Sequence, residues 1–70
     1  MPPAKRTWKD VEELGRDLAA EHPGADPLAL DLASLKALVL ALPTFGDAPE
    51  AAGEELLEAI QAAWYDAIEN

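Results

Sequence analysis

Apolar residues recur along the chain at the three- and four-residue spacing of helices that bury one face. The first helix is predicted to begin at Asp10. Asp10 followed by Glu13 resembles a capping box, in which carboxylates accept hydrogen bonds from unpaired backbone N–H groups. The helix is predicted to stop at His22, Pro23 and Gly24, with His22 as its C-terminal cap. Its core stripe consists of Val11, Leu14 and Leu18.

Two more helices are predicted in the second half of the chain. The second is short and deeply buried, and Pro43 ends it. Its apolar residues at i, i+3, i+4 and i+7 are Leu35, Leu38, Val39 and Leu42. The third helix is predicted to start between Pro49 and Glu54 and to run nearly to the end, with Phe45 anchoring the preceding loop in the core. Its buried stripe consists of Leu56, Leu57, Ile60, Trp64 and Ile68.

The segment between the first two helices is compatible with two structures. Asp26-Pro27 predicts a turn or a new helical start. The alternation from Leu28 to Leu32 fits either a short strand or one helical turn. The whole pattern predicts a mainly α fold, a three-helix domain over residues 8–70 with at most a minimal β element. A flexible tail is predicted over residues 1–7, because two adjacent prolines oppose a helix there.

Charge limits the kinds of partner that this chain can bind. The 70 residues include fourteen acids and five bases, a net charge of -9. Every acid lies at or after Asp10, and only Arg16 and Lys36 balance them in that part of the chain. Such a surface repels nucleic acid and anionic membranes and attracts basic proteins and hard cations. With no apolar leader or membrane-spanning run in the sequence, a cytoplasmic monomer is expected.

Catalytic residues do not form a recognisable arrangement. The chain has no cysteine, and Ser34 is its sole serine, with no base in a recognisable relation to it. A 70-residue bundle also has little room for a substrate cleft, so a non-enzymatic binding protein is predicted. The alternative is a carrier protein with a pantetheine arm on Ser34. Carriers place an acid immediately before that serine, whereas two residues separate Asp31 from Ser34 here.

Carboxylates form two stripes at helical spacing. Those of the first helix are Asp10, Glu13, Asp17 and Glu21. Those of the third helix, if it begins early enough, are Glu50, Glu54 and Glu58. Like charges at i,i+4 destabilise a helix by roughly 0.2–0.5 kcal/mol per pair. A single stripe is explained by solubility alone, but two stripes with few counter-charges favour a binding surface.

The chain resembles the IscX family of small acidic accessory proteins in bacterial iron–sulfur cluster assembly. The resemblance runs from Trp8 to Glu69 without insertions or deletions, and six short motifs in a fixed order carry it. The first two are Trp8-Lys9-Asp10 and Glu13-Leu14-Gly15. Two loops follow, Pro23-Gly24-Ala25-Asp26-Pro27 and Phe45-Gly46-Asp47-Ala48-Pro49. The last helix contributes Leu57-Glu58-Ala59-Ile60 and Trp64-Tyr65-Asp66.

The resemblance implies a fold similar to a winged helix, without DNA binding because the charge has the wrong sign. It also implies docking on the cysteine desulfurase that supplies sulfur, and weak binding of ferrous iron, with no tightly bound cofactor. The predicted partner-binding residues are Asp10, Glu13, Asp17, Glu54, Glu55 and Glu58. The predicted iron ligands are Asp47, Glu50, Glu54 and Glu58. Family members usually carry more acids around the loop phenylalanine, whereas Asp47 is the single carboxylate in residues 42–48 here.

Overall fold

The computed structural model describes residues 5–69, which form three α-helices. The helices are α1 (Val11–Glu21), α2 (Leu32–Leu40) and α3 (Glu54–Glu69). Single turns of 3-10 helix, Pro27–Ala29 and Pro49–Ala51, precede α2 and α3. Extended pairing within residues 5–69 is limited to an isolated parallel bridge between Arg6 and Phe45. The predicted mainly α, three-helix fold is confirmed.

The start of α1 differs from the predicted capping box. Asp10 is the N-cap, but its side chain makes no hydrogen bond to the helix. Its Oδ2 atom accepts hydrogen bonds from the Thr7 backbone N–H at 2.9 Å and the Thr7 hydroxyl at 3.4 Å. The ψ angle of Asp10 is 57°, away from the extended conformation usual at an N-cap, so the carboxylate faces back along the chain. At the other end, the His22 N–H donates to the Leu18 carbonyl at 2.9 Å, as the predicted C-terminal cap.

The segment from Leu28 to Leu32 forms no strand, since a 3-10 turn ends at Ala29 and α2 begins at Leu32, with two residues of extended backbone, Leu30 and Asp31, between them. Asp26 caps the first 3-10 turn, since its Oδ1 accepts from the Leu28 N–H at 3.1 Å. Asp31 then caps α2 by accepting from the Ser34 N–H at 2.8 Å. These two aspartates each satisfy a backbone donor at a helix start, which explains why two short helical pieces form in succession.

One hydrophobic core joins the three helices. Its buried members are Trp8, Leu14, Leu18, Leu35, Val39, Leu42, Phe45, Leu57, Ile60 and Trp64. Leu42 lies beyond the end of α2 at Leu40, so the predicted second helix is too long although the burial of Leu42 is correct. Ile68 is 44% exposed and was wrongly predicted as core. Ile68 lies in the last turn of α3, one turn beyond Trp64, the last buried residue of that helix.

α1 and α3 pack tightly against each other at Gly15. A Cβ atom at this position would lie 2.6 Å from the Ala63 carbonyl carbon and 2.7 Å from the Trp64 backbone nitrogen. Any side chain would therefore push the helices apart. None of the helices in residues 5–69 combines the length and apolarity needed to cross a membrane.

Arg6, in the described part of the predicted tail, makes backbone contacts with the loop after α2. The Arg6 N–H donates to the Thr44 carbonyl at 2.7 Å, and the Arg6 carbonyl accepts from the Gly46 N–H at 3.0 Å. Paired backbone groups hold this part of the chain against the loop after α2. Residues 1–4, the rest of the predicted tail, lie outside the described residues.

Candidate acidic partner-binding surface

Two of the three α1 carboxylates predicted to bind a partner are occupied by contacts within the domain. The Oδ2 atom of Asp17 accepts from the Arg6 Nε at 3.2 Å and from the Thr44 hydroxyl at 2.9 Å. Only 22% of the Asp17 side chain is exposed. Asp10 is similarly bonded to Thr7. Both aspartates therefore fasten the residues before α1, and Glu13, which is partly exposed, remains the α1 candidate for contact with a partner.

The α3 carboxylates have a different environment. Glu54, Glu55 and Glu58 are all exposed in the first turns of α3. Glu54 and Glu58 are i,i+4 neighbours, so their repulsion disfavours the helix by roughly 0.2–0.5 kcal/mol. The positive end of the helix dipole favours acids in the first turn by about 0.3–1 kcal/mol, which offsets that cost. This helix start can thus present several negative charges without an internal cation.

The carboxylates predicted to bind iron are not gathered into one site. Asp47 Oδ2 accepts from the Trp8 N–H at 3.2 Å, and its Oδ1 accepts from the Ala48 N–H at 2.7 Å. Glu50 lies in the 3-10 turn before α3, so it is not an i,i+4 neighbour of Glu54 on one helix. Across residues 5–69, no three His, Asp or Glu side chains lie close enough together to hold a metal ion. The described residues provide no preformed iron site, and iron binding stays a prediction.

Trp8 connects the residues before α1 to the loop after α2. Its Nε1 donates to the Ala48 carbonyl at 2.7 Å, and its ring meets the edge of Phe45 with ring centroids 4.6 Å apart. Both aromatic side chains are buried, so the predicted anchoring role of Phe45 is confirmed. We call residues 5–8 and 44–48 together the clasp. The carboxylates of Asp17 and Asp47 both accept hydrogen bonds from residues of the clasp.

Sequence reasoning missed Arg6 and Thr44 as the partners of Asp17. They lie 11 and 27 residues from Asp17, and no local spacing rule connects positions so far apart. One signal in the sequence points to such an ion pair, the excess of bases before Asp10. Cations in that segment are attracted to the acidic residues that follow it.

An open groove of about 490 Å³ lies between α1 and α3. It is lined by Val11, Glu12, Arg16, Ala59, Ala62, Ala63, Asp66 and Ala67. None of these residues supplies a hydroxyl, thiol or imidazole nucleophile. Ser34, the candidate for modification in the carrier alternative, has its backbone N–H bonded to the Asp31 carboxylate. The pair Asp31 and Ser34 thus forms a helix cap, which accounts for their spacing without a pantetheine arm.

The described residues thus form a small helical domain with exposed acids at the start of α3. Residues 7–69 match the family model described as iron–sulphur cluster assembly. The chain is also 42% identical over 59 residues to an uncharacterized protein of Pseudomonas aeruginosa, with 84% of this chain and 89% of that protein covered. The chain therefore belongs to this iron–sulphur cluster assembly family, and the resemblance to the IscX family is confirmed.

Proposed function

We propose that this protein is a non-enzymatic accessory protein of iron–sulfur cluster assembly that binds the cysteine desulfurase through its acidic surface. The observation that carries the proposal is the cluster of exposed carboxylates at the start of α3, Glu54, Glu55 and Glu58. The desulfurase surface implied by the IscX resemblance is basic. Opposite charges speed association and fix its orientation, which suits an adaptor or regulator that must bind reversibly.

The six predicted partner-binding residues have unequal roles in this proposal. Glu54, Glu55, Glu58 and Glu13 contact the partner directly. Asp10 and Asp17 act on binding indirectly, because their carboxylates already accept hydrogen bonds from Thr7, Arg6 and Thr44. Reversing the charge of Asp17 would disturb the clasp as well as the surface, so it is a poor probe of docking.

The test is a pair of charge reversals with the same change in net charge. Glu54→Lys with Glu58→Lys alters the α3 cluster, and Glu12→Lys with Glu21→Lys alters two exposed acids of α1. Association with the desulfurase is measured by biolayer interferometry at low and high salt. Binding of the unmodified protein should weaken as salt rises, since exposed charges are screened. The α3 reversal should slow association about tenfold or more, and the α1 reversal much less.

Two results would contradict the proposal. Absence of desulfurase binding by the unmodified protein would remove the partner. Equal weakening by the two reversals would mean that only net charge matters and that the α3 cluster is a solubility device. Intact mass after expression tests the carrier alternative, since a pantetheine adduct on Ser34 would replace this proposal.

Ferrous iron is a separate part of the proposal, as a cargo carried weakly by surface carboxylates. Ferrous iron accepts carboxylate oxygen, and Glu54 and Glu58 are close enough on one helix face to share an ion. With both oxygens of Asp47 already bonded, we expect affinity no tighter than about micromolar and loss on acidification as carboxylates protonate. NMR titration with a divalent metal should give shifts confined to residues 47–58 that Glu54→Gln with Glu58→Gln abolishes. Diffuse shifts over α1 and α3 would indicate a charge effect only.

A further inference from the structure

Three large apolar side chains stay exposed around the second half of α3. Leu28 is 61% exposed, Ile68 44% and Tyr65 36%. Tyr65 and Ile68 are i,i+3 neighbours and therefore lie side by side on the helix surface. Isolated exposed apolar residues are common, but a group of them bordered by charges is typical of a protein–protein contact.

Leu28 belongs to the same surface because Gln61 fixes its turn to α3. The Gln61 side-chain amide donates to the Pro27 carbonyl at 2.7 Å and to the Leu30 carbonyl at 3.2 Å. Both ends of the segment that carries Leu28 are thus fastened to α3 one helical turn before Tyr65. Leu28 is therefore exposed on a turn that is held against α3 rather than on a free loop.

Carboxylates surround this apolar group. A hydrogen bond to Glu69 and the charge of that carboxylate raise the pKa of the Tyr65 phenol, and the charges of Asp26 and Asp66 raise it further. Neither α3 nor residues 26–30 contain a lysine or arginine. The charges that act on the Tyr65 phenol are all negative, so positive charge on a partner that covers it would be favoured.

The apolar group is continuous with the acidic cluster at the start of α3. Glu54, Glu58, Tyr65 and Glu69 follow one another at spacings of four, seven and four, which places them along one face of the helix. Gln61 lies between the acidic and apolar parts of this face. One partner that docks along α3 would contact the carboxylates at the helix start and the tyrosine ring about two turns beyond Glu58.

We propose that Leu28, Tyr65 and Ile68 form the apolar anchor of the partner-binding face, and that this anchor fits a shallow apolar pocket rimmed by lysine or arginine on the partner. The inference rests on the proposed function, because the partner is the same desulfurase that the α3 carboxylates steer. The division of work follows from the physics of interfaces. Exposed charges mainly set the association rate, whereas a desolvated aromatic side chain mainly sets the dissociation rate.

The test separates the two rates. Tyr65→Ala and Leu28→Ala truncate the anchor, Tyr65→Phe keeps the ring, and Leu40→Ala truncates a 39%-exposed side chain of α2 as the matched control. Thermal melts of each variant establish that the domain still folds. With the desulfurase as partner, Tyr65→Ala should speed dissociation about tenfold or more and leave the salt dependence of association unchanged. Leu28→Ala should act in the same direction, and Tyr65→Phe and Leu40→Ala should dissociate like the unmodified protein.

Three results would overturn the inference in distinguishable ways. If Tyr65→Ala dissociates at the unmodified rate while the Glu54 and Glu58 reversal slows association, the anchor is wrong and the proposed function stands. If the unmodified protein does not bind the desulfurase, both fail together. If sedimentation shows that the unmodified protein is a dimer and that Tyr65→Ala is a monomer, the surface pairs two copies of this chain instead.

Discussion

Gly15→Ala tests the packing of α1 on α3 with a single methyl group. The new Cβ would lie 2.6 Å from the Ala63 carbonyl carbon, 2.7 Å from the Trp64 nitrogen and 2.8 Å from the Ala63 Cβ. Carbon atoms in ordinary contact are about 3.5–4.0 Å apart, so the two helices must separate by about 1 Å. Two of the three crowded atoms belong to the backbone of α3 and cannot rotate away.

The net effect is the difference between two opposing terms. Overpacking a core typically destabilises by about 1–3 kcal/mol, and a clash with backbone belongs in the upper part of that range. Alanine favours a helix over glycine by about 1 kcal/mol. A net loss of about 1–2 kcal/mol remains, a large share of the ~3–5 kcal/mol that a core of this size supplies. For a domain of this length, the midpoint of thermal unfolding should fall by roughly 5–15 °C.

Thermal and urea unfolding followed by circular dichroism measure this loss, and Gly53→Ala is the matched control. A Cβ at Gly53 would have no atom within 4 Å, and the φ angle of Gly53 is not positive. Its midpoint should stay close to that of the unmodified protein, because the loss of glycine at the start of α3 is offset by the restriction of the unfolded chain. If Gly15→Ala melted at or above the midpoint of the unmodified protein, the described helix contact would be wrong.

Four further predictions follow from three individual side chains. Trp64→Ala should be largely unfolded at room temperature, since removing a buried tryptophan costs about 3–5 kcal/mol; a cooperative, near-native melt would contradict this. Trp64→Phe should retain most of the stability in urea, because the Trp64 Nε1 has no hydrogen-bond partner among the described residues and its loss leaves no acceptor unsatisfied. Asp17→Ala should speed hydrogen exchange at the Arg6 and Gly46 amides while α3 amides stay protected, and unchanged exchange would mean that Asp17 does not hold the clasp. Hydrogen bonds from the Ser34 side chain and backbone lower the pKa of Asp31, so its contribution to stability is present above the unfolded pKa and is lost as pH falls through the folded pKa. Asp31→Asn should therefore flatten the acid limb of the stability curve, and an identical limb in both proteins would refute the assignment.

The fold could be predicted where the signal is local. The stripe from Leu57 to Trp64 repeats at helical spacing over several turns, and its burial follows directly from that period. Ile68 continues the same period but is exposed, because periodicity does not encode where the packed part of a helix ends. The predicted side-chain cap by Asp10 is wrong for a related reason. The Asp10 carboxylate binds the N–H of Thr7, which precedes the helix, whereas the capping pattern considers only donors inside the helix.

The candidate site was predictable in composition but not in arrangement. The sequence contains all of its carboxylates, and their helical spacing identifies Glu54 and Glu58 as neighbours. Which acids are already hydrogen-bonded depends on contacts between distant parts of the chain, such as Trp8 with Asp47, 39 residues away. The anchor of Leu28 and Tyr65 depends on the Gln61 amide, whose two carbonyl partners are 31 and 34 residues away.

The clasp joins residues about forty positions apart, through the Trp8 bonds to Asp47 and Ala48. Closing so long a loop carries an entropic cost that the contacts within one helix do not, so the clasp should form after the helices and open before them. Trp8 belongs to the clasp as well as to the core, so its fluorescence in the Trp64→Phe variant would report opening of the clasp. Each opening would free the Asp17 and Asp47 carboxylates while the helices stay intact. The number of carboxylates that are free of hydrogen bonds within the domain is therefore set by a local unfolding equilibrium as well as by the sequence.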